Sequence, residues 1–137
     1  MQINEVAARI VDAAFRIHRE LGPGLLESVY EVVLADLLSR DGFEIERQRP
    51  IPIQAFGKSF EEGFRADLIV NKLVLVELKS VEQLSRAHQK QVQTYLRLSN
   101  LRLGLLINFG GELLKGNIQR VVMGEVPGLR GNPSSGD

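Results

Sequence analysis

The stretch Arg65-Ala66-Asp67-Leu68-Ile69-Val70-Asn71-Lys72-Leu73-Val74-Leu75-Val76-Glu77-Leu78-Lys79 decides the fold. Phe64 to Val70 and Leu73 to Lys79 are rich in aliphatic and β-branched residues, and read as two strands meeting in a tight connection at Asn71-Lys72. In the second strand, a period of two puts Val74, Val76 and Leu78 on one face and Leu75, Glu77 and Lys79 on the other. Two opposite charges therefore share one face of a run apolar enough for the middle of a sheet, where unpaired charge is costly. An ion pair at the sheet's end, or a half-exposed strand with a solvated face, would account for Glu77 and Lys79 taken alone.

Asp67, in the first strand, is a second acid heading into an apolar run, and the register decides whether the carboxylates meet. A two-residue turn at Asn71-Lys72 would set Asp67 opposite Val76, whereas a three-residue loop, Asn71 to Leu73, sets it opposite Glu77. We expect the three-residue loop. Two carboxylates at cross-strand distance repel unless a divalent cation lies between them, and all-oxygen ligation suits Mg²⁺ or Mn²⁺. Lys79 points to the same side, where it could hold an attacking water or stabilise charge growing on a phosphate.

Working outward, apolar residues Val6, Ile10, Ala13, Ala14, Ile17 and Leu21 recur at helical spacing after Asn4, a candidate N-cap, and Gly22-Pro23-Gly24 ends that helix. A second helix is expected from Leu25 to Arg40, with a stripe of Leu26, Val29, Tyr30, Val33, Leu34, Leu37 and Leu38, so that the two form a hairpin. Phe43 to Phe56, with Pro50 and Pro52, reads as an irregular or edge strand. A helix is expected from Glu82 to Ser99, a strand buried on both faces from Leu103 to Asn108, and a last strand from Ile118 to Met123. Strand, helix and strand from Leu73 to Asn108 should form a right-handed parallel crossover, giving an α/β sandwich with a mixed central sheet flanked by helices.

The sequence has 137 residues, enough for one domain with a real core and too few for two. We expect that domain to span 1–126 and the Gly-, Pro- and Ser-rich segment 127–137 to be a disordered tail. The absence of cysteine excludes a disulfide framework, a thiolate metal cluster and a cysteine nucleophile. No apolar run reaches the length that spans a bilayer, so a soluble, cytoplasmic protein is the default expectation. Formal charge balances at zero, which argues against a broad basic surface for nucleic acid. A local groove around a metal centre remains compatible with that balance, because the metal supplies positive charge to the phosphate.

Asp67 followed by Glu77-Leu78-Lys79 across a hairpin resembles the core of the PD-(D/E)XK nuclease superfamily, with Ala66 where the motif's proline often stands. Gly24-Leu25-Leu26-Glu27-Ser28-Val29-Tyr30 further resembles the signature of the GxxExxY proteins, a prokaryotic branch assigned to that superfamily. The resemblance covers residues 3 to 124. It implies a restriction-endonuclease-like three-layer α/β/α sandwich and a Mg²⁺- or Mn²⁺-dependent nuclease acting on DNA. It also implies that Asp67, Glu77 and the Leu78 carbonyl bind the metal, and that Glu27 on the helix before the sheet completes the site. Read without the resemblance, Glu27 is equally well an acid favoured at a helix N-terminus by the macrodipole.

On the later helix Leu84, His88, Gln91, Tyr95 and Leu98 lie on one stripe. Gln91 and Tyr95 match the Gln-x-x-x-Tyr motif of exonuclease-like branches, which implies that Gln91 contacts the catalytic centre or the nucleic-acid end, with Tyr95 beside it. Alternatively Gln91 is a boundary residue and Tyr95 a core aromatic with its hydroxyl at the surface. His18 and His88 have no part in the candidate site, and Arg65, Arg86, Lys90 and Arg97 read as solvated cations. Two other readings stay open: a non-catalytic nucleic-acid-binding or protein-interaction module on the same fold, and an enzyme acting on a smaller phosphate ester. A homodimer would let one small domain reach both strands of a duplex.

Overall fold

The structure, a computed structural model, describes residues 1–124, and the expected boundary at 126 and tail at 127–137 lie outside them. Its elements run α1 (Ile3–Leu21), α2 (Glu27–Arg40), β1 (Ile45–Ala55), β2 (Lys58–Val70), β3 (Val74–Lys79), α3 (Arg86–Ser99), β4 (Leu103–Asn108) and β5 (Ile118–Val122). The strands form one mixed sheet in the order β1-β2-β3-β4-β5. β3 and β4 are parallel, joined through α3, and the other neighbours are antiparallel.

The period-two pattern of β3 and β4 divides the core. Val74, Val76, Leu78, Leu103, Leu105 and Ile107 pack with α1 and α2, while Leu75 and Leu106 pack with Val92 and Leu96 of α3. The result is the expected α/β/α sandwich. Gly104 lets α3 lie close: a Cβ there would stand 2.7 Å from Val92 Cγ1. Pro50 and Pro52 fall in β1, an edge strand, where a missing N–H costs least, and the β1–β2 register shifts between Ile51 and Ile53.

Several helix expectations need correction. Asn4 lies inside α1, whose N-cap is Gln2 without a side-chain bond. α2 begins at Glu27 rather than Leu25, because the preceding loop is held elsewhere: the Tyr30 hydroxyl donates to Gly22 O (2.6 Å) and accepts from Leu25 N–H (3.1 Å), and Ser80 Oγ donates to Leu25 O (2.6 Å). Leu26, expected in the buried stripe, is consequently 75 % exposed, and Val29 is also exposed. α3 begins at Arg86 rather than Glu82, since Ser85 and His88 form a reciprocal capping box. Its buried residues are Gln89, Val92 and Leu96, so the stripe is turned from the expected one and Leu98 is exposed.

At the C-terminal end of β4, opposite Lys79, Asn108 is fully buried. Its Oδ1 accepts from Val81 N–H (3.0 Å) and Gly110 N–H (2.9 Å), and its Nδ2 donates to Val81 O and Asn117 Oδ1 (both 3.0 Å). Two of the four bonds pin Val81, in the segment that follows Lys79, and the other two hold the chain that follows β4. Asn108→Leu fills similar space but leaves these buried groups unpaired, so it should cost about 3 kcal/mol. Urea unfolding would check this, and a loss within about 0.5 kcal/mol, usual for uninvolved positions, would contradict the network's role.

Candidate active site

The hairpin joining β2 to β3 sets the site. Val70 pairs with Val74 and Leu68 with Val76, so Asn71, Lys72 and Leu73 form the expected three-residue loop. Asn71 and Lys72 take left-handed φ values of 53° and 55°, and Asn71 is tied to Glu44 by its N–H and by its Oδ1 (both 2.8 Å). Continuing the register by one residue puts Asp67 opposite Glu77.

At that point side chains take over from the ladder. Asp67 N–H donates to Glu77 Oε1 (3.1 Å), and Leu78 N–H donates to Asp67 Oδ2 (2.8 Å). Each carboxylate thus satisfies a backbone donor of the other strand's site segment. The strand alternation also breaks here: Leu68 packs toward α1 and α2, whereas Ala66, two residues earlier, packs toward α3. The break aims Asp67 into the space beside Glu77.

The pair is electrostatically frustrated. Glu77 is 4 % exposed, and burial first, then the Asp67 charge, push its carboxyl up to about 8. Asp67 is raised as well, chiefly by burial, against hydrogen bonds from Leu78 and Gln48 that favour its charged form. Burial and the two acids likewise raise the Tyr95 hydroxyl. Lys79 Nζ, on the same face as Glu77, donates to Gln91 Oε1 at 3.4 Å. Tyr95 stacks on Phe64 with ring centroids 3.9 Å apart. Strand β3 and the α3 face carrying Gln91 and Tyr95 therefore meet at one place.

Glu27 is exposed at the start of α2, and its charge is felt at Asp67. The acid that α2 buries is Glu31, one turn on and 6 % exposed, whose charge also acts on Asp67. Glu31 Oε2 accepts from Arg47 Nε (3.2 Å) and Nη2 (2.9 Å), and Oε1 accepts from Gln48 Nε2 (2.5 Å). The sequence reading missed Glu31, Arg47 and Gln48. The i,i+4 spacing from Glu27 puts Glu31 on the same helix face and is the one local signal for it. Of the residues left out of the candidate site, His18 is buried with Nε2 2.9 Å from Gly111 O, His88 caps α3, and Arg65 pairs with Glu62.

Among the described residues no three His, Cys, Asp or Glu side chains gather as a metal cage. Asp67 and Glu77 nevertheless fit a hard divalent cation by donor chemistry. Mg²⁺ takes one or two carboxylates and keeps several waters, and a cation would relieve the repulsion that raises both acids.

A mixed sheet between two helical layers, with two acids where β2 and β3 part, defines a restriction-endonuclease-like α/β protein. A family model described as PD-(D/E)XK nuclease superfamily matches residues 4–121, and the chain belongs to that superfamily. Its members are typically metal-dependent nucleases and phosphodiesterases. No curated protein and no solved structure matched the chain. Among the described residues no helix is long and apolar enough to cross a membrane.

Proposed function

We propose that this chain is a Mg²⁺- or Mn²⁺-dependent deoxyribonuclease of the GxxExxY branch. The observation that carries the reading is the reciprocal bonding of Asp67 and Glu77 across parted strands, with Lys79 on the Glu77 face. Asp67, Glu77 and the Leu78 carbonyl would hold the cation, and Glu27, an exposed acid whose charge is felt at Asp67, would complete its shell. When bound, the cation supplies positive charge to the phosphate and acidity to a coordinated water.

Lys79 would orient that water for in-line attack on phosphorus and offset charge growing on the phosphate oxygens. The P–O bond to the leaving sugar oxygen would break as the new P–O bond forms, the water giving up a proton to solvent and the leaving oxygen taking one from solvent, with no covalent enzyme intermediate. Gln91, already in hydrogen-bond reach of Lys79 Nζ, would hold the amine in place, and Tyr95 would flank the substrate. The test is cleavage of labelled single-stranded, double-stranded and branched DNAs with Mg²⁺, Mn²⁺ or EDTA. Products should require metal, and Lys79→Ala should slow their formation by about 10²–10⁴-fold. A chain that binds DNA but neither cuts it nor takes up Mn²⁺ would be a non-catalytic binding module instead.

A further inference from the structure

Gln48 departs from the strand that carries it. Its φ is 48°, in the left-handed region, where a residue other than glycine, asparagine or aspartate is unusual. Its flanking residues keep their ladder partners, Arg47 with Leu68 and Arg49 with Ala66. The chain changes faces across it: Ile45 packs on the α1 and α2 side and Ile51 on the α3 side. The backbone thus turns at one position, and the turned side chain lies between α2 and β2.

The carboxamide nitrogen of Gln48 donates to Glu31 Oε1 (2.5 Å) and to Asp67 Oδ1 (3.1 Å). With an acid on each side, the donor end of the amide is the end that fits there. The tie from β1 to α2 is already made by Arg47, which gives two bonds to Glu31. What Gln48 adds is the bond to Asp67. Leu78 N–H holds the other oxygen of that carboxylate (2.8 Å), so each Asp67 oxygen accepts one fixed hydrogen bond and keeps another lone pair toward the site. Glu31, buried and held by Arg47, is the fixed post from which Gln48 reaches.

We propose that Gln48 is a positioning residue: anchored on Glu31, it fixes the Asp67 carboxylate in the orientation in which Asp67 and Glu77 together take a divalent cation. This role rests on the metal-dependent reading given above. It extends the site to Glu31 and Gln48, which act through Asp67 and not on substrate or reacting atoms. Groups that orient a metal ligand typically alter metal affinity or activity by about 10–100-fold when removed.

The left-handed backbone supplies the test. Gln48→Gly removes the carboxamide while giving the backbone the residue most at ease there, so folding should suffer little. Mn²⁺ binding to the full chain is measured by calorimetry without DNA, beside melting in EDTA. Affinity should fall roughly tenfold with melting little changed. Should the glycine variant fail to fold, Gln48→Asn also suits a left-handed backbone, is one methylene too short to span both acids, and should show the same loss. Variants that fold and bind Mn²⁺ as tightly as the parent would overturn the positioning role while leaving the nuclease reading intact. A parent that binds Mn²⁺ without cutting DNA would defeat the nuclease reading alone, since calorimetry still decides the role of Gln48. A parent that takes up no Mn²⁺ would overturn both.

Discussion

Glu77→Gln is expected to reduce metal-dependent cleavage by about 10²–10³-fold or more, and at the same time to stabilise the metal-free protein above neutral pH. Loss of a carboxylate ligand removes charge stabilisation worth several kcal/mol, and each ~1.4 kcal/mol is a factor of ten in rate. The stability gain has the opposite origin. Folding raises this carboxyl from 4.5 to about 8, so between those limits the folded chain holds a proton that the unfolded chain has released. Its contribution is complete below about pH 4.5 and is lost as pH rises toward 8. Glutamine keeps an oxygen for Asp67 N–H and carries no charge to bury. Melting in EDTA from pH 6 to 9 should therefore show the parent losing several degrees and the variant much less. Added Mn²⁺ should restore the parent and leave the variant unmoved. Parallel melting curves for the two proteins across that range would refute the assignment. On these expected results activity and apo stability oppose each other at this residue, a common arrangement in functional sites.

Gly110→Ala is expected to be among the most destabilising single substitutions in the chain. A Cβ at Gly110 would stand 2.2 Å from Val81 O, 2.4 Å from Val81 N and 2.7 Å from Val81 C. These are backbone atoms, so no rotamer change relieves the clash. They are also atoms that Asn108 holds on both sides. Either the 108–111 turn or the segment after Lys79 must move, at a cost of about 3 kcal/mol or more, in the range of severe core lesions. Movement of the turn would carry Lys79 with it, since Lys79 O accepts from Phe109 N–H (2.8 Å). Urea unfolding should show the lost stability. Cleavage measured well below the melting temperature should still be weakened, because Lys79 and Gln91 no longer meet. Unchanged stability would mean that the turn gives way freely.

The central part of this architecture was legible because it is encoded locally. The alternation in Val74 to Lys79 separates Val74, Val76 and Leu78 from Leu75 as the two layers do, and of the two registers open to the hairpin the expected three-residue loop is the one formed, which sets Asp67 opposite Glu77. Leu103 to Asn108 was readable as buried on both faces because it is apolar at every position but Gly104 and Asn108. What the sequence did not disclose depends on contacts between distant segments. The start of α2 is decided by Tyr30 and Ser80 pulling on residues 22 to 25. The rotation of α3 is decided by the space over Gly104, which accepts Val92 and Leu96 and leaves Gln91 and Tyr95 at the rim. Glu31 and Gln48 are polar residues in stretches that look like an ordinary helix and an ordinary edge strand. They are linked through the Gln48 carboxamide, which bonds Glu31 on one side and, across 19 positions of chain, Asp67 on the other.

The three-residue connection between Val70 and Val74 also governs which changes in chain length the protein can absorb. One residue gained or lost there would slide β3 along β2 and turn every side chain of one strand to the opposite layer, exchanging Glu77 for a neighbour at the site. The Phe56-Gly57 turn at the other end of β2 carries no such constraint. Phe56 is fully exposed, and a register shift between Ile51 and Ile53 already separates that end from the residues around Asp67. Insertions at residues 56–57 should accordingly leave the site's geometry alone, and that turn is the natural place to splice in a tag or a fused module.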